Sequence, residues 1–114
     1  TLSGTTGGVL GAILIGITAW LVGLATPVGA AWIAAAGSAG TLADSLLGAS
    51  LQARWRCTSC GATIETRVHA CGGSAMPLIS GWRWLDNDAV NAAATLVGAT
   101  VAALPVFPAG APLP

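Results

Sequence analysis

Gly8-Val-Leu-Gly-Ala-Ile-Leu-Ile-Gly-Ile-Thr-Ala-Trp-Leu-Val-Gly-Leu-Ala25 decides the fold. The stretch carries no charge and is long enough to cross a hydrocarbon core, which takes roughly 20 helical residues. In lipid the backbone polar groups have to be satisfied internally, and a helix does this alone. Thr26-Pro27 then interrupts it, because proline lacks an N–H and restricts the residue before it. A second apolar segment, from about Val28 to Gln52, follows so closely that the two are expected to form an antiparallel hairpin. A third runs from about Asp88 to Leu104, and the tail Pro105–Pro114, with four prolines, is expected to be irregular.

Composition agrees with a membrane setting. Of the 114 residues 54% are apolar and 7% charged, against about 25% charged in a soluble domain. Lipid replaces the missing charged coat, and the many Gly and Ala residues allow membrane helices to approach closely. The net charge of zero gives no electrostatic footprint for nucleic acid. The chain opens on Thr1 and lacks the basic start of a signal peptide, so it reads as part of a longer protein. The expected fold class is an all-α integral membrane protein: three transmembrane helices with a small zinc-ribbon-like loop between the second and third. Residues 1–52 then comprise a Gly/Thr turn and two spans, 53–87 a Cys/His loop, and 88–114 the third span and the tail.

The loop Ala53–Asn87 holds Arg54, Arg56, Arg67 and Arg83, all three cysteines and the single histidine. An excess of Arg places it in the cytoplasm, with Thr26-Pro27 and the tail outside. Trp55, Trp82 and Trp84 read as interfacial anchors. Cys57-Thr-Ser-Cys60-Gly61 has the two-residue spacing that points both sulfurs at one metal, with a glycine for the tight knuckle turn. Thr63–Val68 alternates and is rich in β-branched residues, so a strand is expected that returns the chain to His69 and Cys71. Cys57, Cys60, His69 and Cys71 make a Cys3His set suited to a closed structural zinc site, a staple that a loop with little core needs. A redox dithiol, or one disulfide with a free thiol, stays open as an alternative.

Asp44 lies about two turns from the end of the second segment. A carboxylate inside a membrane is expensive and marks a functional candidate. Gly37, Thr41, Asp44, Gly48 and Gln52 recur at steps of three and four and share a face. The third segment opens Trp84-Leu-Asp86-Asn-Asp88-Ala-Val-Asn91, where one Asp or Asn suffices as a helix cap but four are present. Ser3-Gly-Thr-Thr-Gly-Gly8 could wrap a phosphate with backbone N–H groups, and flexibility or Thr capping explains it as well. All three elements fall toward the cytoplasmic edge, so Asp44, Asp86 and Asp88 are expected to converge there on one site.

Gly4-Thr-Thr-Gly-Gly8, Asp44-Ser-Leu-Leu-Gly-Ala-Ser-Leu-Gln52 and Trp84-Leu-Asp-Asn-Asp-Ala-Val-Asn91 resemble, in order and placement, the motifs of the transmembrane protein 19 / phytyl phosphate kinase family. Prokaryotic members also resemble the chain in a Cys-X-X-Cys loop between the second and third motifs. The resemblance covers nearly all of Thr1–Leu104 and implies the C-terminal half of that family's domain, with further helices of the same protein as partners. Asp44, Ser45, Gly48 and Gln52 match the middle motif; Asp86, Asn87, Asp88 and Asn91 match the last. Plant members are associated with phosphorylating phytyl phosphate. The resemblance therefore implies an isoprenoid-phosphate kinase among membrane lipids, with Mg²⁺ and a nucleoside triphosphate as cofactors.

In that reading Asp44, Asp86, Asp88 and Asn91 are the catalytic candidates. Thr5, Gly7, Gly8 and Gln52 contact the cofactor, and Arg54, Arg56 or Arg83 supplies positive charge. A prenyl phosphate acceptor is already anionic, so positioning and charge neutralisation do the catalysis. The competing reading is a non-enzymatic scaffold or transporter fragment with a zinc-stapled docking loop.

Overall fold

A computed structural model describes residues 1–67, 69–71 and 76–104. Its elements are α1 (Leu2–Leu21), α2 (Pro27–Ser50), β1 (Arg54–Arg56), β2 (Thr63–Ile64), β3 (Leu78–Ser80) and α3 (Asn87–Ala103). They form two compact units. One comprises Thr1–Ser45 with residues 94–104, and the other Leu46–Ala93.

The first unit is helical. Thr1 caps α1 by accepting the Gly4 N–H at 3.2 Å, so the helix begins before Gly8. The expected Gly/Thr turn is thus corrected: Thr5, Gly7 and Gly8 lie in the first turns of α1, and the Thr5 N–H donates to the Thr1 carbonyl at 2.9 Å. Backbone amides spent in this way are not available to wrap a phosphate. Past Val22 the chain turns at Gly23 with φ +77°. Thr26 then accepts the Gly29 N–H at 3.1 Å, with Pro27 in the first helical position, where its missing N–H costs nothing.

α1 and α2 run antiparallel at close range, as their short connection requires. A Cβ on Gly8 would lie 2.6 Å from the Thr41 methyl, one on Gly37 2.7 Å from the Ala12 Cβ, and one on Gly16 would run into the Ala30 carbonyl. α2 meets α3 the same way: a Cβ on Gly40 would lie 3.0 Å from the Ala94 carbonyl, and the Trp32 indole N–H donates to the Val101 carbonyl at 3.0 Å. Small residues thus let whole helix faces meet without bulky side chains. The large apolar residues Leu10, Leu14, Ile15 and Leu21 of α1 stay exposed. Among the described residues one helix, Leu2–Leu21, is long and apolar enough by length and composition to cross a membrane.

The second unit corrects the all-α expectation, because the loop builds a three-stranded antiparallel sheet in the order β2-β1-β3. Trp55 lies opposite Ile64 on one side and Leu78 on the other, with a register irregularity between Arg54 and Trp55. The expected strand over Thr63–Val68 shortens to Thr63–Ile64, and Val68 and the tail Pro105–Pro114 lie outside the described residues. Trp55 is also corrected: it is 4% exposed and belongs to the core of this unit, with Ala53, Cys57, Leu85 and Val90, rather than being an interfacial anchor. Its ring has the guanidinium carbons of Arg67 and Arg83 at 5.3 and 5.5 Å from the centroid, within cation–π range.

Backbone bonds tie the end of α2 to the start of α3. The Trp82 N–H donates to the Leu51 carbonyl and the Ala53 N–H to the Leu85 carbonyl, at 2.9 and 2.8 Å. Gly81 makes this possible, since its φ is +78° and any Cβ there would run into the Gln52 carbonyl. α2 ends at Ser50, and the Arg54 guanidinium donates to the Gly48 carbonyl at 3.3 Å, satisfying one of the helix's last carbonyls.

Candidate metal centre and the cleft beside it

Cys57 follows β1 directly, and the turn behind it is closed by two backbone bonds. The Gly61 N–H donates to the Cys57 carbonyl at 2.8 Å and the Cys57 N–H to the Ala62 carbonyl at 2.9 Å. Gly61 sits at φ +74°, the left-handed conformation that a knuckle turn demands of it. β2 then carries the chain back toward His69 and Cys71.

The four expected ligands come together: one ligand atom from each of Cys57, Cys60, His69 and Cys71 lies within 4.8 Å of all the others. The Cys60 and Cys71 sulfurs are 3.7 Å apart and His69 Nδ1 is 3.6 Å from the Cys60 sulfur. A tetrahedral zinc with sulfurs at its usual bond length spaces them about 3.8 Å apart. The two remaining measured edges are tighter, 3.1 Å from Cys57 to Cys71 and 2.9 Å from His69 to Cys71. Among the described residues no disulfide joins the three cysteines. The Cys71 side chain, first, and then the Cys60 backbone hold the Cys57 thiol down to about 6 from its ordinary 9.0. Thiolate is the form that ligates a metal, so this donor set suits a metal ion.

Beside the sheet lies an open cleft of about 620 Å³ lined by Trp55, Glu65, Thr66, Arg67, Asp86, Asn87 and Asp88. Three acids and one guanidinium therefore border the same space. Asp86 is also the cap of α3: its side chain accepts the Ala89 N–H at 3.1 Å and its carbonyl the Val90 N–H at 3.0 Å. Asp88 follows in the first turn, where a negative charge suits the helix dipole. Asn91 is exposed one turn further along α3.

Among the arginines, the one that lines the cleft is Arg67, which sequence reasoning did not single out; Arg54 caps α2, Arg83 covers Trp55, and Arg56 is exposed on β1. Arg67 also donates to the Arg83 carbonyl at 3.2 Å. Its one legible signal was its position two residues before the ligand His69, which anchors the segment.

Asp44 is half-buried on α2 in the first unit, while Asp86, Asp88 and Asn91 belong to the second. The Thr5 and Ser45 hydroxyls meet at 2.6 Å, so Thr5 is engaged in the α1–α2 packing. Gly7 faces open space and Gly8 packs on Thr41. Gln52 lies past the end of α2, buried, with its side-chain oxygen folded over Gly48 and its Nε2 without a hydrogen-bond partner among the described residues.

No curated protein and no solved structure matches the chain. The model of an integral membrane protein family, DUF92, matches residues 1–99. With a helix able to cross a bilayer and a loop whose Cys/His group can hold a metal ion, the chain belongs to the integral membrane protein family DUF92.

Proposed function

We propose that the chain is part of a membrane-embedded isoprenoid-phosphate kinase whose loop is held together by a structural zinc. The observation that carries the kinase reading is the cleft of the second unit, where Asp86, Asn87 and Asp88 border the same space as Arg67. A phosphoryl-transfer site needs acids for a divalent cation and positive charge for phosphate oxygens, and both are at hand there. Mg²⁺, when bound, would neutralise charge on the nucleotide phosphates. Arg67 would hold the anionic acceptor, and Asn87 would orient it by hydrogen bonding. Asp44 is the further acid of this reading.

The zinc reading is supported by the convergence of three thiols and one imidazole, a soft, closed donor set that leaves no protein position open for catalysis. The reading includes three spans, α1, α2 and α3, with Ala53–Asn87 at the cytoplasmic face and the N-terminal helices of the longer protein beside them. In intact cells, impermeant labelling should reach a cysteine placed near Pro27 and miss the loop.

The deciding experiment incubates the full-length protein in detergent with Mg²⁺, a γ-labelled nucleoside triphosphate and phytyl or farnesyl monophosphate. The expected product is the labelled diphosphate, with Asp44→Asn and Asp88→Asn inactive but inserted normally. Metal-loaded, correctly inserted protein that transfers no phosphate under any nucleotide would leave the scaffold or transporter reading in its place.

A further inference from the structure

We infer that Trp82 and Trp84 form the membrane-contacting edge of the metal-bearing unit, seated in the headgroup layer of the bilayer in which the protein resides. Among the described residues of this unit, four large apolar side chains are exposed: Leu46, Ile79, Trp82 and Trp84. The two tryptophans are the large members of the set, at 52% and 65% exposure, and their ring centroids lie 5.6 Å apart. The third tryptophan of the loop is spent on the core, so burial was open to an indole here and these two do not take it.

The backbone fixes where the pair sits. Trp82 donates its N–H to Leu51 just past the end of α2, and Leu85, next to Trp84, accepts from Ala53. α3 starts at Asn87. The pair therefore lies at the level where one helix enters the unit and the next leaves it. If α2 and α3 both cross the bilayer, which the inference takes from the proposed function, that level is the membrane–water boundary. An indole favours this layer because its apolar body and N–H handle are satisfied together there. The occupant is accordingly the headgroup and upper acyl region of lipid. The membrane already belongs to this family, so the patch continues an interface that the helices themselves require. Fixing the unit's depth at two points would keep its sheet from lifting off the bilayer.

The full-length protein in phosphatidylcholine/phosphatidylglycerol nanodiscs tests this. Tryptophan emission is compared between nanodiscs carrying lipids brominated near the headgroup and lipids brominated near the chain terminus, for the parent and for Trp82→Phe/Trp84→Phe. The expected result is stronger quenching by the headgroup-proximal bromolipid in the parent, with a clear loss of that quenching in the double variant. Metal content measured alongside confirms that the variant's loop is intact. The rings are not at the lipid interface if the emission lost on substitution is quenched by aqueous iodide and not by bromolipid, or is shielded from both by protein. Trp20 and Trp32, on the helices, remain in the double variant and report separately on the spans. If their bromolipid quenching persists while the difference between proteins is absent, the inference fails and the spans stand. If it is absent too, both fail. Phosphoryl transfer enters neither outcome.

Discussion

Replacing Trp55 by alanine should unfasten the metal-bearing unit while leaving the first unit intact. The ring is 4% exposed and lies on the central strand, opposite Ile64 and Leu78. Truncating a buried tryptophan to alanine costs about 3–5 kcal/mol, and two guanidinium contacts at partly exposed sites add about 0.5–1 kcal/mol each. The unit's other buried apolar residues, Ala53, Cys57, Leu85 and Val90, are all smaller than Trp55, so the loss falls on local opening. Each 1.4 kcal/mol is about a factor of ten, so amide exchange in the sheet should accelerate on the order of 100-fold or more. The reporting amides are Arg56 and Cys57, bonded to the Pro77 and Ala62 carbonyls, and the Ala30 amide, bonded to Thr26, is the internal reference. Trp55→Phe discriminates the cause. The indole N–H has no partner among the described residues, so phenylalanine loses no hydrogen bond and should stay within about 1–1.5 kcal/mol of the parent. If Trp55→Ala leaves exchange at Arg56 and Cys57 within about threefold of the parent, corresponding to well under 1 kcal/mol, Trp55 is not the core of this unit. If Trp55→Phe is as damaging as alanine, the indole N–H makes a stabilising bond of its own.

Cys57→Ser should lower bound zinc from about one per chain, the stoichiometry of a single closed site, to none by elemental analysis, and free His69 for modification. In the metal-free protein the Cys57 thiol is held down to about 6 from 9.0. Its charge thus contributes stability to the loop that is fully present above pH 9 and is lost as pH falls through about 6. Exchange protection of the metal-free loop should rise between these values, and a pH-independent profile would contradict the shift. Metal should be released only on acidification below this window, because protons have to displace the bound ion from the thiolates. Asp86→Ala should cost about 1 kcal/mol by removing the cap that accepts the Ala89 N–H. Asp86→Asn caps equally well, so helicity should hold while phosphoryl transfer falls; retained activity would confine Asp86 to capping.

The metal cluster was legible because its signal is local. Cys57, Cys60 and Gly61 are held by one turn, and a knuckle of that spacing leaves few other geometries for the sulfurs. The helix breaks were legible for the same reason, since Thr26 and Pro27 act through the chain immediately around them. Apolar run length likewise marked a segment able to cross a membrane, but over Gly8–Ala25, whereas the helix runs Leu2–Leu21. That limit was set by contacts: Thr1 caps the helix, and the packing of Gly8 on Thr41 and of Thr5 on Ser45 offsets the poor helix propensity of the glycines.

The sheet was decided by tertiary structure. Alternation signalled β2, but the three-residue strands β1 and β3 are too short to display a period, and β1 finds β3 only after the chain has passed through both halves of the metal cluster. Trp55 among three nearby tryptophans has nothing in its own type to mark it as core; its place between Ile64 and Leu78 does so. The same pairing leaves Trp82 and Trp84 outside and puts Arg67 rather than its fellow arginines on the cleft with Asp86 and Asp88. A charged side chain takes its function from what the fold sets within a few ångströms of it, and spacing along the chain does not reach that far.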